Sequence, residues 1–312
     1  MSQQVLRYSL GVSALAQEDE RELASLLKLL DDPDHRVSEA VLVRLRSKGA
    51  PILPRLMEFV EEAADPLAVE RTFSLIQEIN EEHLAGEFEK LHERINNNDS
   101  NTLEDGAFLI AQYGYPALDL DKYYLELSDL AAILRDRVKS AYSPLDLLSI
   151  TNKFFFEDQG FRGNQNKFLE ADNSYINRVL DRRLGIPIAL AVVYLLISRG
   201  RLGLPFSGAG APGHFLIRYD GLEEPLFIDA FNRGVILRQE DIKRFLNASG
   251  LPFSESFLEP ASPRAILLRM IRNLIIVFKE TDDSQGQAAF ERFTRILAPD
   301  SNPGDLHHPS LE

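Results

Sequence analysis

The stretch GIPIALAVVYLLISRGRLGLPFSGAGAPGHFLIRYDGLEEPLFIDAF, Gly185 to Phe231, decides the fold, because its hydrophobic period changes partway along. The opening part, Ile186 to Ile197, is apolar on every side and starts on Pro187, whose missing amide proton costs nothing at a helix N-terminus. It falls short of the ~20 residues that span a bilayer, and Arg182, Arg183 and Arg199 flank it, so it reads as a buried helix through Ser198. Beyond Gly203-Leu204-Pro205 two short runs follow, HFLIRY (His214 to Tyr219) and PLFIDAF (Pro225 to Phe231), rich in β-branched and aromatic residues. Asp220-Gly221 between them predicts a hairpin. A two-residue turn at Gly221-Leu222 sets His214 opposite Asp229, and a turn centred on Asp220-Gly221 keeps the two as diagonal neighbours on one face. A three-residue loop puts them on opposite faces, and Pro225 leaves room for a longer connection.

Outward from this stretch the chain is helical. Asn173-Ser174 suits the cap of a helix that runs through Leu184 and stops at Gly185, so two helices meet at Gly185-Ile186-Pro187. Gly160 to Asn166 is turn-forming, and helical patterning covers Leu103 to Phe156 with breaks at Gly114-Tyr115-Pro116 and Ser143-Pro144. The polar run Asn96 to Asn101 is read as a linker. From Glu20 to Arg94 apolar residues recur at helical spacing, among them Leu23, Leu27, Leu30, Val41, Leu45, Leu53 and Leu56. Asp31 and Asp34 suit N-caps there. Pro263 to Lys279 reads as a buried helical strut, Gln285 to Leu297 as a second helix, and Ser301 to Glu312 as a disordered tail.

Composition narrows the chemistry. Among 312 residues, 34 basic and 48 acidic side chains give a net charge of −14, which opposes a nucleic-acid partner. There is no cysteine, which excludes disulfide scaffolds, zinc-thiolate sites, iron–sulfur clusters and thiol nucleophiles. Ala14-Leu15-Ala16 imitates a signal-peptidase site, but the apolar stretch before it is short and broken by Ser9, Gly11 and Ser13. A cytoplasmic protein with no membrane association and no cofactor is the expectation.

The one constellation with catalytic character is His214 with Asp229. An isolated histidine in an apolar strand is more often a core residue satisfied by a backbone carbonyl. A carboxylate on the same sheet face instead fixes the imidazole tautomer, as a general base requires. Nucleophilic catalysis then needs a thiol or hydroxyl at a helix N-terminus near the other ring nitrogen.

The run FFFEDQGFRGNQNKFLEADNSYINRVLDRRLGIPIAL, continuing to PGHFLIRY and FIDAFNRG, strongly resembles the bacterial SirB family, a branch of the transglutaminase-like superfamily. The resemblance begins near Leu103 and covers about two thirds of the chain. It implies an α+β fold with a papain-like core, a helix packed on an antiparallel sheet, flanked by helical segments. In that superfamily a Cys opens the central helix, and a His and an Asp lie on consecutive strands. His214 and Asp229 match the last two, whereas Pro187 stands where the Cys belongs. Losing the attacking group of such a triad costs about 10⁶ in turnover by analogy with serine proteases. Asp31 to Val60 resembles one HEAT repeat, and the C-terminal helix pair one tetratricopeptide unit. The implied organisation is a HEAT-like domain (1–95), a linker (96–101), the SirB-type domain (102–260), and a TPR-like helix pair with the tail (261–312).

Polar residues cluster around the helix junction. Arg178, Arg182 and Arg183 are either a solvated face paired with Asp181 and nearby acids or ligands for a carboxylate or phosphate. Asn164, Asn166 and Asn173 are turn formers first and groove donors second. Asn173, Arg182, Arg183, Gly185 and Gly213 make up the expected ligand groove. Ser207-Gly208-Ala209-Gly210 resembles no nucleophile elbow, and His307-His308 is not a metal site. The preferred expectation is a non-catalytic module that binds a protein or peptide, its oligomeric state undetermined. The alternative is a hydrolase-type enzyme whose His214–Asp229 pair activates water or a substrate hydroxyl.

Overall fold

The computed structural model describes residues 17–300, Asp31 and Pro33 excepted. Ala14-Leu15-Ala16, the Asp31 cap, the tail from Ser301 and His307-His308 lie outside the described residues. The chain divides into two compact units, one of residues up to 87 with 112–118, the other of 88–111 with the chain from 119 onward.

The first unit is helical: α1 (Gln17–Leu27), α2 (His35–Lys48), α3 (Leu53–Glu62) and the first part of α4 (Pro66–Asn96). Asp34 caps α2, its Oδ1 accepting from the Arg36 amide at 2.9 Å, and Gly49 ends the helix at φ +67°. The periodic residues Leu23, Leu27, Leu30, Val41, Leu45, Leu53 and Leu56 form one buried cluster with Ile52, Leu75 and Ile76.

In the second unit α4 turns into α5 (Thr102–Gly114) through the polar run Asn97 to Asn101. This run is a helix–helix turn and the division between units lies elsewhere, because the flanking helices are tied together. Arg94 pairs with Asp105 at 2.8 Å, and Leu91 packs beside Gly106. Next come α6 (Leu120–Val138), capped by Asp119, and α7 (Pro144–Lys153), capped by Ser143, which continues as a π-helical turn, Phe154 to Asp158. Strand β1 (Arg162–Gly163) pairs in parallel with β2 (Leu184–Gly185), and α8 (Ile176–Arg182) lies between them in the chain. Helix α9 (Pro187–Leu195) follows, with every residue from Ile188 onward buried, as its uniform apolarity predicts.

Helix α9 packs against a four-stranded antiparallel sheet in the order β3 (Phe206–Ala211), β4 (His214–Tyr219), β5 (Leu226–Asp229), β6 (Val235–Leu237). After it come α10 (Gln239–Ala248), α11 (Pro263–Glu280) and α12 (Ser284–Leu297). The fold is α+β, a helix on an antiparallel sheet flanked by helices. No helix of the described residues is long and apolar enough to cross a membrane.

Several local expectations are corrected. Strand β3 was not anticipated, since Phe206 to Ala211 reads FSGAGA, poor in strand formers. It forms because the Phe215 ring of the next strand occupies the space over Gly208, where an added Cβ would sit 2.6 Å from Phe215 Cζ and 3.3 Å from Ile266 Cδ1. Gly208→Val is therefore expected to cost about 1–3 kcal/mol by overpacking, seen as a lower Tm in thermal denaturation; an unchanged Tm would contradict this packing. The cap of α8 is Tyr175, and the helix ends at Arg182, held in the left-handed region at Arg183 (φ +58°), two residues before the expected stop. Helix α9 passes into a π-helical turn at Leu196 instead of continuing regularly to Ser198. Strand β5 ends at Asp229, short of Phe231, because the Asp229 carboxylate accepts the next free amides.

Candidate functional site

The connection between β4 and β5 is longer than a tight turn, Asp220 to Pro225, and Tyr219 pairs with Leu226. This register departs from direct opposition of His214 and Asp229 by two residues, an even number, so the two remain diagonal neighbours on one face. His214 Nε2 lies 2.8 Å from Asp229 Oδ2, a close but oblique contact rather than an aligned hydrogen bond. Pro212 and Gly213, the latter at φ +71°, turn β3 into β4 and set His214 at the strand start, paired with Ala211.

Asp229 is held from several sides. Its Oδ1 accepts the amides of Phe231 and Asn232 at 3.0 and 3.1 Å, and Oδ2 accepts Asn232 Nδ2 at 2.7 Å. Burial raises the carboxyl's pKa, but the His214 imidazole and the Asn232 donors outweigh it, and the net shift is downward. The His214 side chain keeps 20% of its surface exposed, whereas its Nε2 is buried. The exposure belongs to the rest of the ring, so the imidazole is not sealed from solvent.

Helix α9 brings its start to this pair. Near its C-terminal end Tyr194 meets Phe206 at 5.1 Å between ring centroids, and Phe206 is paired with Tyr219 at the far end of β4. The helix start at Pro187 therefore lies toward the His214 end. A chain of backbone bonds supports this placement: Asn164 N donates to Gly185 O at 3.2 Å, Gly163 N to Phe231 O at 3.0 Å, and Phe231 N to Asp229 Oδ1. Gly163 is required here, since an added Cβ would stand 2.4 Å from the Phe231 ring. The helix opens with Pro187, which has neither nucleophilic atom nor amide donor.

The residues expected to line a groove are placed differently. Asn173 is fully buried, its Nδ2 donating to Lys167 O and Phe168 O and its Oδ1 accepting from Asn164 Nδ2. Its amide holds the loop together and offers nothing to a groove. Asn164 makes the turn it suggests, accepting Lys167 N, and Asn166 is exposed. Arg182 pairs with Glu170 at 2.6 Å and with Asp172, Arg183 with Glu126 at 3.0 Å, and Arg178 with Asp172 and Asp181. Their charges are answered internally. Gly185 is buried, where a Cβ would meet Val179 Cγ2 at 3.0 Å, and Gly213, partly exposed like Arg182 and Arg183, is the one of the five next to His214 in the chain. Sequence reasoning missed Asn232, which fastens Asp229, and Arg269, whose Nη2 donates to Ala211 O at 2.9 Å. Arginines interrupting the otherwise apolar Pro263–Lys279 run were the available sign of the latter.

A shallow groove of about 460 Å³ lies at the opposite end of β4, against Tyr142, Pro144, Leu147, Pro205 and Tyr219, away from this pair. Among the described residues no three His, Asp or Glu side chains cluster as metal ligands.

Residues 121–272 match the family model described as the transglutaminase-like superfamily. The chain is 36% identical over 183 residues to a UPF0162 protein of Xylella fastidiosa, covering 56% of this chain and 64% of that protein. It is 26% identical over 159 residues to protein SirB1 of Salmonella typhimurium, covering 51% and 58%. Against F-box only protein 21 of Homo sapiens it is 31% identical over 141 residues, covering 43% of this chain and 22% of that protein. The chain spans somewhat under two thirds of the length of the bacterial relatives it matches. No solved structure matches. Residues 121–272 are thus similar to the transglutaminase-like superfamily, and the chain's similarity runs to the UPF0162 and SirB1 proteins.

Proposed function

We propose that this transglutaminase-like domain is a non-catalytic module that binds a protein or peptide at the end of the sheet marked by His214 and Gly213. The observation that carries the reading is a chain without cysteine in which Pro187 opens the helix under the sheet while His214 Nε2 lies 2.8 Å from Asp229 Oδ2. An imidazole oriented by a carboxylate activates a nucleophile, and without one the pair remains a polar, partly exposed anchor. The small share of F-box only protein 21 that this region resembles suits a domain joined to varied neighbours. The preceding helices are read as a HEAT-like surface and α11–α12 as a TPR-like pair, both interaction elements, in a cytoplasmic protein that contacts neither nucleic acid nor membrane.

The solvent-accessible part of the His214 ring favours a second reading, in which the pair activates water or a substrate hydroxyl with no covalent intermediate. Turnover of amide, glutamine and ester substrates by the full chain and by His214→Ala separates the two. Equal, background rates are expected, and a rate that depends on His214 would establish the second reading.

A further inference from the structure

Helix α11 runs along β3 and past the site. Ile266 faces Gly208, and Arg269 reaches Gly210 and Ala211, the residue paired with His214. The helix also approaches the Ala171–Asn173 turn, and Asn173 O accepts the amide of Ile186 at the start of α9. The helix that carries Arg269 and Arg272 thus touches both the strand paired with His214 and the turn that holds the start of α9.

These arginines differ from the others nearby. Arg178, Arg182, Arg183 and Arg201 are each answered by a carboxylate. Among the described residues neither Arg269 nor Arg272 has a carboxylate within ion-pair distance, although the chain carries a net charge of −14. Arg269 spends one Nη2 contact on Ala211 O and lies over the Phe215 ring at 5.6 Å, and Arg272 Nε is buried without a partner. Residues three apart share one helix face, so the two like charges repel. Burial and the neighbouring Arg272 together bring the Arg269 pKa down to about 10. Two partly desolvated guanidinium groups with open donors match an oxyanion, which bonds to such forks in bidentate fashion.

We propose that Arg269 and Arg272 form an oxyanion-binding pair beside His214 that receives a carboxylate or phosphoryl group of the bound ligand. The inference rests on the preceding reading in placing a ligand beside His214, and the two fail separately. His214-dependent turnover would end the non-catalytic reading and leave the anion site standing, whereas loss of anion binding leaves the non-catalytic reading untouched.

The test is titration of the full ¹⁵N-labelled chain with inorganic phosphate and, in parallel, with acetate at constant ionic strength in chloride. The Arg272 Nε–Hε resonance and the amides of Ala211, Gly213 and His214 are followed. Saturable shifts are expected, with affinity falling at least about fivefold in Arg272→Gln while its unliganded Tm stays at the parent value, since Arg272 Nε holds no partner to lose. Arg269→Lys, which keeps the charge and loses the fork, is expected to weaken binding as well. Tighter phosphate binding assigns a phosphoryl group to the ligand and tighter acetate binding a carboxylate, each supporting the pair. Non-saturating shifts with both anions, or equal affinity in Arg272→Gln, would overturn it.

Discussion

Replacing Asp229 by alanine is expected to destabilise the protein by about 2–4 kcal/mol, because the buried carboxylate accepts three hydrogen bonds whose donors are left unsatisfied, at about 1–3 kcal/mol for a buried donor. In a chain of this size the fall in Tm is on the order of 10 °C. The amides of Phe231 and Asn232 lose their acceptor, and the buried His214 Nε2 loses its nearest anion. Asp229→Asn keeps an oxygen for the two amides but replaces Oδ2, the acceptor of Asn232 Nδ2, by an amide nitrogen, so its cost is smaller, about 1–2 kcal/mol. The difference depends on pH in a fixed direction. Since the folded-state pKa of Asp229 lies below the usual carboxylate value, its stabilisation is fully present above about pH 3.9 and is lost as pH falls through the folded pKa. Denaturant unfolding of the parent and Asp229→Asn from pH 7 down to pH 3 is expected to converge at the acid end. A constant gap, or an Asp229→Ala protein as stable as the parent, would mean that the carboxylate does not anchor this turn.

Pro187→Cys is expected to create a thiol that reacts far faster than an ordinary one. A free thiol with a pKa near 8.5 is roughly 1% thiolate at pH 6.5. At helix N-termini and beside histidines, thiol pKa values fall to about 3.5–7.5. Alkylation by iodoacetamide at pH 6.5 is therefore expected to be at least about tenfold faster than for a reference peptide thiol, and adding His214→Ala should remove most of the gain. The parent chain has no cysteine, so all label reports on the introduced side chain. Ordinary thiol reactivity, unchanged by His214→Ala, would show that the helix start does not face the imidazole.

Much of the site was legible because two periodicities leave few options. The parity of the strand pattern sets His214 and Asp229 on one face for any connection of even length, and the six-residue loop satisfies it although a tighter turn was the simpler expectation. The uniform apolarity of Ile188 to Leu195 required burial on all sides, and that helix lies under the sheet with none of these residues exposed. What escaped was set by contacts distant in sequence. FSGAGA has no strand signature of its own and depends on the Phe215 ring from its neighbour. Strand β6 is only Val235 to Leu237, too short to show a period. Asn173 and the arginines of α8 resembled ligand donors by type, yet Asn164, Glu170, Asp172 and Glu126 use them internally. Arg269 and Arg272 were hidden by the apolar character of their helix, and Arg269 reaches the neighbourhood of His214 through Ala211, the residue paired with it. The division between units falls within α4 because Leu91 and Arg94 pack with α5, which the polar composition of Asn96 to Asn101 does not reveal.

The vacancy at Pro187 is the premise beneath the functional reading, and hydrolysis of an activated ester such as p-nitrophenyl acetate tests it most directly. The full chain and its His214→Ala variant, at matched concentration and checked folding, should hydrolyse it at the same rate with no initial burst. A burst of nitrophenol from the parent, or a steady rate that drops when His214 is removed, would show that the imidazole and its carboxylate still drive a reaction without the missing sulfur.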